Sequence, residues 1–537
     1  MKTIYYNAKV YTGDMPFAEA FAVEDGKFVF AGSNAQAREI AAAGDCMTDL
    51  GGRFVCPGFT DSHMHIVSYG NSLTTAQLDR HTSGIGDMIS YFRDFAQEHP
   101  PKDGGWIVGR GWNQDYFTDI SRMPNRWDLD MVSAEYPVLA ARCCGHAIAV
   151  NSKALDILGV TADTFCPEGG GIGMENGVPN GVFLDNAMDI VYSAIPAPDK
   201  DAIKDMIRVS CRALNAFGIT ACHTDDFASF TGIDWKVVDA AIRELEAAGE
   251  LSVRIYEQSN FSDIDTLREF CESGHITGVG SDMYKIGPLK LLGDGALGAH
   301  TAFLSRPYAD DPDNFGLPVF SQETLDLMIG YAHEKGMQCA VHAIGDACLD
   351  RVLSAYARAL AAHPRSDHRH GIVHCQITRP DQLQKIIDMG LHVYAQTIFI
   401  DYDSRIVRQR VGNELAETSY NWKTLMKAGV SVSNGTDCPV ESPSALRGIQ
   451  CAITRKSLDG DGEVYLPHEA FTVQEALDSY TIRSAEASFD ENKKGRIRPG
   501  MLADFVVLDE DPFRAAPDAI KDITVHATYL GGKKVFG

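Results

Sequence analysis

Nowhere in its 537 residues does the chain carry an uninterrupted apolar run long enough to span a membrane. Its opening residues, Met1-Lys2-Thr3-Ile4-Tyr5-Tyr6-Asn7-Ala8-Lys9, have no apolar centre of the kind a secretion signal needs. Both absences point to a cytoplasmic protein without a membrane partner. Positive charge is also scarce: 48 Lys and Arg stand against 73 Asp and Glu, for a formal net charge of -25. Such a field repels nucleic acid and anionic lipid. The 13 cysteines are odd in number and form no Cys-x-x-Cys pair, which argues against a thiolate zinc site. Most lie in apolar runs such as Gln338-Cys339-Ala340-Val341, as buried reduced thiols do. The remainder, 45% hydrophobic and 23% charged, is ordinary for a globular enzyme or binding protein, alone or as a homo-oligomer. The length calls for more than one domain unless one of them is a barrel.

What the chain does have is Phe59-Thr60-Asp61-Ser62-His63-Met64-His65-Ile66. Side chains alternate across a strand, so Asp61, His63 and His65 share one face. Two imidazoles on one strand can grip a single ion from one direction.

Residues 1–55 read as short strands and turns, over Thr3–Val10, Ala20–Val23 and Phe28–Ala31. The end of the chain mirrors them with Ala503–Leu508, Val525–Tyr529 and Lys533–Phe536. Residues 1–55 and 491–537 are therefore expected to pair into one composite β-sandwich domain. Between them, an insertion at about 67–215 shows Gly/Pro/Asp-rich turns around mixed pieces. From there strands alternate with helices: Ile219–Thr224, Ser252–Gln258, Ile286–Gly293, Gln338–Ala343, His370–Cys375, His392–Thr397 and Val430–Gly435. The helix over Gln322–Lys335 has Ser321 to cap it and Gly336 to end it. With the His-x-His strand that makes eight, the number that closes a (β/α)8 TIM barrel over residues 56–490.

Catalytic groups of such a barrel sit at the C-terminal strand ends. There the first strand brings His63 and His65, the fourth Lys290 with Asp294, the fifth His342, the sixth His374 and the eighth Asp437. Each alone reads as a core polar residue. Together, on separate strands, they read as one site.

These residues resemble the amidohydrolase superfamily of metal-dependent hydrolases, most closely its family 3 branch of YtcJ-like and N-substituted formamide deformylase-like proteins. The likeness runs through Pro57-Gly58-Phe59-Thr60-Asp61-Ser62-His63-Met64-His65, Gly145-His146-Ala147, Asp294-Gly295-Ala296-Leu297-Gly298, Asp437-Cys438-Pro439-Val440-Glu441-Ser442 and Pro499-Gly500-Met501-Leu502-Ala503-Asp504. It implies that His63, His65, a carboxylated Lys290, His342, His374 and Asp437 hold two divalent metals. Zinc is the default, and manganese, iron, cobalt or nickel also suit such ligands. A lysine made neutral by burial can take up carbon dioxide, and the resulting carbamate can bridge two ions. Alternatively Lys290 stays an ammonium paired with Asp294, and the site holds one ion.

The implied reaction is attack of metal-bound hydroxide on a small-molecule substrate. The substrate expected is a linear amide or N-acyl or N-formyl amine, with Asp437 as base and then acid. A deaminase or cyclic amidase would use the same cradle, and a non-catalytic binding barrel would keep its shape. His146, in the insertion, and His223, after strand two beside Asp225, are further catalytic candidates. Trp112, Tyr116 and Phe117 offer either a substrate wall or core packing, and Gly295 and Gly298 a tight turn over the metals.

Overall fold

Eight short segments, each followed by a helix or a long loop, assemble into one parallel sheet in chain order. They are β1 (Phe59–Met64), β2 (Ile219–Thr224), β3 (Arg254–Asn260), β4 (Tyr284–Leu292), β5 (Cys339–Ala343), β6 (Gly371–His374), β7 (His392–Ala395) and β8 (Val432–Asn434). The computed structural model describes the chain except Thr82, Lys102, Asp103, Asp115, Tyr116, Ser121, residues 143–146, Glu168, Gly169, Thr231 and Asp461, and the side chains of Asp185 and Asn186. Every residue of β1, β2, β6, β7 and β8 is buried, as expected of parallel strands covered on both faces. The last strand meets the first through Asp437 N–H, which donates to His63 O at 2.8 Å. Thr436 N–H adds a bond to Asp61 Oδ1 at 3.0 Å, so the fold is a (β/α)8 barrel whose seam lies at the His-x-His strand. Gly435 is required there. A Cβ on it would come 2.5 Å from His63 N and 2.8 Å from Asp61 Oδ1.

The helices follow their sequence signals. Gln322–Glu334 starts on Ser321, whose hydroxyl accepts from Thr324 N–H, and stops before Gly336 at φ +88°. Lys200–Ala216 buries Ile203, Ile207, Cys211 and Leu214, one face of a 3.6-residue repeat, against the barrel core.

Both termini contribute to the β domain. One sheet runs Lys9–Val10, Phe54–Pro57, Phe505–Leu508, Val525–Leu530, Lys533–Phe536, and a second runs Lys27–Gly32, Ala20–Glu24, Thr3–Tyr6, Cys46–Asp49. Their shared core is aromatic. Phe505 stacks on Tyr529 at 4.3 Å and Tyr5 on Phe21 at 4.8 Å between ring centres.

Residues 70–202 form a separate unit, narrower than the 67–215 read from sequence because Ile203 onward belongs to the helix on the barrel. It has a six-stranded sheet, Gly170–Glu175, Val178–Asp185, Ala147–Val150, Val138–Arg142, Ile107–Trp112, Ala76–Gln77. Trp112 and Phe117 are buried in its core, and the Trp112 indole N–H donates to Ala140 O at 3.1 Å. They pack the core of this unit; Tyr116 lies outside the described residues. No described helix is long and apolar enough to cross a membrane.

Candidate metal centre

His63, on β1, is fully buried and faces two acceptors. Its Nδ1 lies 2.9 Å from Gln258 Oε1 on β3, and its Nε2 3.3 Å from Asp437 Oδ1, just past β8. Burial and the nearby Lys290 lower its pKa, so the ring is neutral and owns one N–H. With that proton on Nδ1, a bare Nε2 lone pair confronts a carboxylate oxygen. Two such atoms repel unless a cation stands between them. His374 repeats the pattern on β6. Its Nδ1 is 2.7 Å from Gln396 Oε1, and burial and the neighbouring His342 hold its pKa well below the ordinary value. One donor atom each from His63, His374 and Asp437 falls within 4.8 Å of the others, a spacing that fits a metal ion.

His65 follows β1 directly. Its Nε2 is 2.9 Å from the same Asp437 Oδ1, and its Nδ1 contacts Asp225 Oδ1. Burial works against charge on this ring, but Asp225 and Asp437 outweigh it and raise its pKa well above the ordinary value. An ion at this position would replace the Nε2 proton. Asp437 responds oppositely. Burial would raise its pKa, yet its contacts with the His63 and His65 rings hold it well below the carboxylate range.

His342, on β5, turns Nε2 to Gly295 O at 3.1 Å and Asp294 Oδ1 at 3.3 Å, which leaves Nδ1 for an ion. Its ring centre lies 4.4 Å from that of His374. Lys290, on β4, is fully buried, and its Nζ is 2.9 Å from Asp225 Oδ2. This corrects the pairing with Asp294. Asp294 is occupied by the backbone N–H groups of Phe303, Ile344 and Gly345, at 2.8, 3.0 and 2.8 Å.

The backbone is bent to present these groups. His374, Cys375 and Asp437 adopt φ of 74°, 51° and 58°, a left-handed region costly for residues with a Cβ. His374 O accepts from the Trp422 indole N–H at 3.0 Å, which supports that bend. Gly295 is needed for space, since a Cβ there would meet Thr301 Oγ1 at 2.2 Å; Gly298 has no such constraint. Asp61 faces the seam, accepting from Thr436 Oγ1 at 2.5 Å and from the N–H groups of Thr436 and His63. Burial, partly offset by those bonds, pushes its carboxyl up to about 7.

Of the further candidates, His223 is completely buried on β2, its ring centre 5.0 Å from Tyr256 and 6.3 Å from Tyr394. Burial, then Lys494, holds its pKa well below the ordinary value. Neither ring nitrogen has a hydrogen-bond partner among the described residues. His146 lies outside the described residues. Gln258 and Gln396 were not anticipated. Both stand at or next to strand ends, where the rule that found the histidines also applies, but neutral amides carry no charge signal.

A family profile described as "Amidohydrolase family" matches residues 47–536. The chain belongs to the amidohydrolase family. YtcJ of Bacillus subtilis (strain 168) is 32% identical over 544 residues, covering 100% of this chain and 99% of that protein. An N-substituted formamide deformylase of Arthrobacter pascens is 25% identical, covering 98% and 96%. Among solved structures, a metal-dependent hydrolase from Pyrococcus furiosus superposes with a TM-score of 0.79 at 27% identity, over 96% of this chain and 100% of that one. The amidohydrolase is thus an enzyme of the metal-dependent hydrolase class, and the histidine and aspartate donors described above suit that requirement.

Proposed function

We propose that this amidohydrolase cleaves the carbon–nitrogen bond of a linear amide, an N-acyl or N-formyl amine. The carrying observation is Asp437. Its Oδ1 is shared by Nε2 of His63 and His65, while no described residue hydrogen-bonds its Oδ2. His63, His65, His342, His374 and Asp437 would hold divalent ions, zinc in the first instance, which when bound would supply Lewis acidity and lower the pKa of water to about 7. Asp437 Oδ2 then takes the proton of the attacking water and returns it to the leaving nitrogen, as base and then acid. Gln258, Gln396 and Asp225 hold the far ring nitrogens, so the imidazoles do not turn during the reaction. The formamide deformylase among the relatives supports an amide substrate.

The same reading includes a carboxylated Lys290 and a second ion, which require the lysine to leave its ion pair with Asp225. Lys290→Ala is expected to lose activity and regain part of it with formate or acetate. Full activity without rescue would remove Lys290 from the ligand set. For the reaction itself, metal-loaded protein should release free amine from N-formyl and N-acyl amines. Ammonia from amino-heterocycles, with no turnover of amides, would replace amide hydrolysis by deamination.

A further inference from the structure

Three of the four histidines have a side-chain acceptor on Nδ1, but the acceptors differ. His65 has a carboxylate, Asp225, while His63 and His374 have neutral amides, Gln258 and Gln396. Both glutamines are fully buried. The two amide-backed rings, with Asp437, are also the group whose donor atoms already lie within 4.8 Å of one another.

An amide can accept through oxygen or donate through nitrogen, and which way it is turned decides the tautomer of the ring it meets. Oxygen toward Nδ1 puts the ring proton there and leaves Nε2 bare. Nitrogen toward Nδ1 would force the proton onto Nε2, the atom that faces Asp437 in His63, and block ligation. In Gln258 the orientation is secured from the other end, since Nε2 donates to Ser62 O at 3.2 Å. Gln396 Nε2 is buried with no hydrogen-bond partner among the described residues, and its Oε1 is the end engaged, 2.7 Å from His374 Nδ1. A carboxylate in either place would add negative charge beside Asp437. The amides fix the tautomer without it. Of the other donors, Lys290 is paired with Asp225 and His65 lies between two carboxylates, while His342 leaves Nδ1 for an ion.

We infer that Gln258 and Gln396 are positioning residues that keep Nε2 of His63 and His374 free of a proton and aimed with Asp437 at one ion, and that this position fills first, whatever the state of Lys290. The inference rests on metal dependence and not on the identity of the amide, so a failed substrate screen leaves it untouched.

The test is cobalt binding by metal-free protein, followed by chelator competition and by the visible absorption of the bound ion. Wild type and Lys290→Ala should take up the first cobalt with equal affinity and the same spectrum. Gln258→Met and Gln396→Met keep the side-chain length but lose the acceptor, and each should weaken that first ion by about 10–100-fold. Gln396→Glu restores an acceptor that cannot donate when ionised and should recover the affinity, which a purely structural role would not predict. Unchanged first-ion affinity in Gln396→Met or Gln258→Met, with native circular dichroism, would overturn the positioning role. Loss of the first ion in Lys290→Ala would overturn the order of filling. If a methionine variant fails to fold, Gln396→Glu decides: it should bind the first ion as wild type does, and weakened binding in that variant would count against the inference.

Discussion

Asp225 sets one carboxylate oxygen against Nδ1 of His65 and the other 2.9 Å from Nζ of Lys290, with both partners of the lysine ion pair buried. Removing one member of a buried pair strands the other charge, at a cost of about 3–5 kcal/mol. Asp225→Asn is therefore expected to destabilise the metal-free enzyme by that order, measured as a drop in the denaturant midpoint. On the proposed carboxylation of Lys290, the loss should shrink in bicarbonate with metal present. An unchanged midpoint in the metal-free variant would show that Lys290 carries no charge there.

Asp437 allows metal binding and proton transfer to be separated. Asp437→Asn keeps an oxygen that can coordinate, and four histidines remain, so much of the metal should stay. General acid–base catalysis should nevertheless be lost, an effect of about 10²–10⁴-fold. Because its contacts with the His63 and His65 rings keep the carboxyl ionised well below its usual range, the base is ready at neutral pH. The acidic limb of the wild-type pH–rate profile should disappear in the variant. Metal content and turnover must come from the same preparation, and near-normal turnover of a metal-replete variant would move the proton transfer elsewhere.

The barrel was legible because strand-like segments alternate with helical ones from Ile219 on, and the strand-end rule then led to His63, His342, His374 and Asp437. The partner of Lys290 was not. Asp294 is nearer in sequence and on the same strand face, but the backbone N–H groups of Phe303, Ile344 and Gly345 occupy it, and those arrive from loops whose path a single sequence does not encode. Gln258 and Gln396 were missed for a different reason. A neutral amide beside a ligand looks like any polar residue until its oxygen is seen on Nδ1. Aromatic clusters were ambiguous in the same way, and Trp112 and Phe117 resolved as core of the insertion.

Two buried histidines outside the site make the fold sensitive to acid. His370 accepts the Cys339 N–H on Nδ1 at 2.9 Å, and His392 Nε2 pairs with Ser433 Oγ at 2.8 Å. Burial, aided by His368 and Arg365, holds His370 well below its ordinary value, and burial with Arg369 and Arg483 pushes His392 down to about 3. Folded values below the unfolded one of about 6.5 mean that their full contribution is present above pH 6.5. It is lost as pH falls, by about 1.4 kcal/mol per pH unit for each ring while only the unfolded chain binds the proton. Carboxyls raised by burial, such as Asp61 at about 7, act in the opposite sense, so the histidine share is read by difference: between pH 6.5 and 5 the midpoint of His392→Asn should move away from that of wild type by one histidine's share. A slope unaffected by the substitution would assign the acid sensitivity to other groups.

His223 sits between Tyr256 and Tyr394 with both ring nitrogens buried and without partners among the described residues. Read from sequence it belongs with the catalytic groups; read from its surroundings it is an imidazole carrying unmet polar atoms inside the barrel. Removing such atoms by a substitution of similar size can be neutral or stabilising. His223→Leu is expected to keep its metal and its kcat/KM, with a stability within about 1 kcal/mol of wild type or above it. The check is metal content, kcat/KM and denaturant midpoint on one preparation. A metal-replete variant slowed by about 100-fold or more would make His223 part of the proton path. A loss of about 2 kcal/mol or more, with activity intact, would show that buried water satisfies the ring and is forfeited with it.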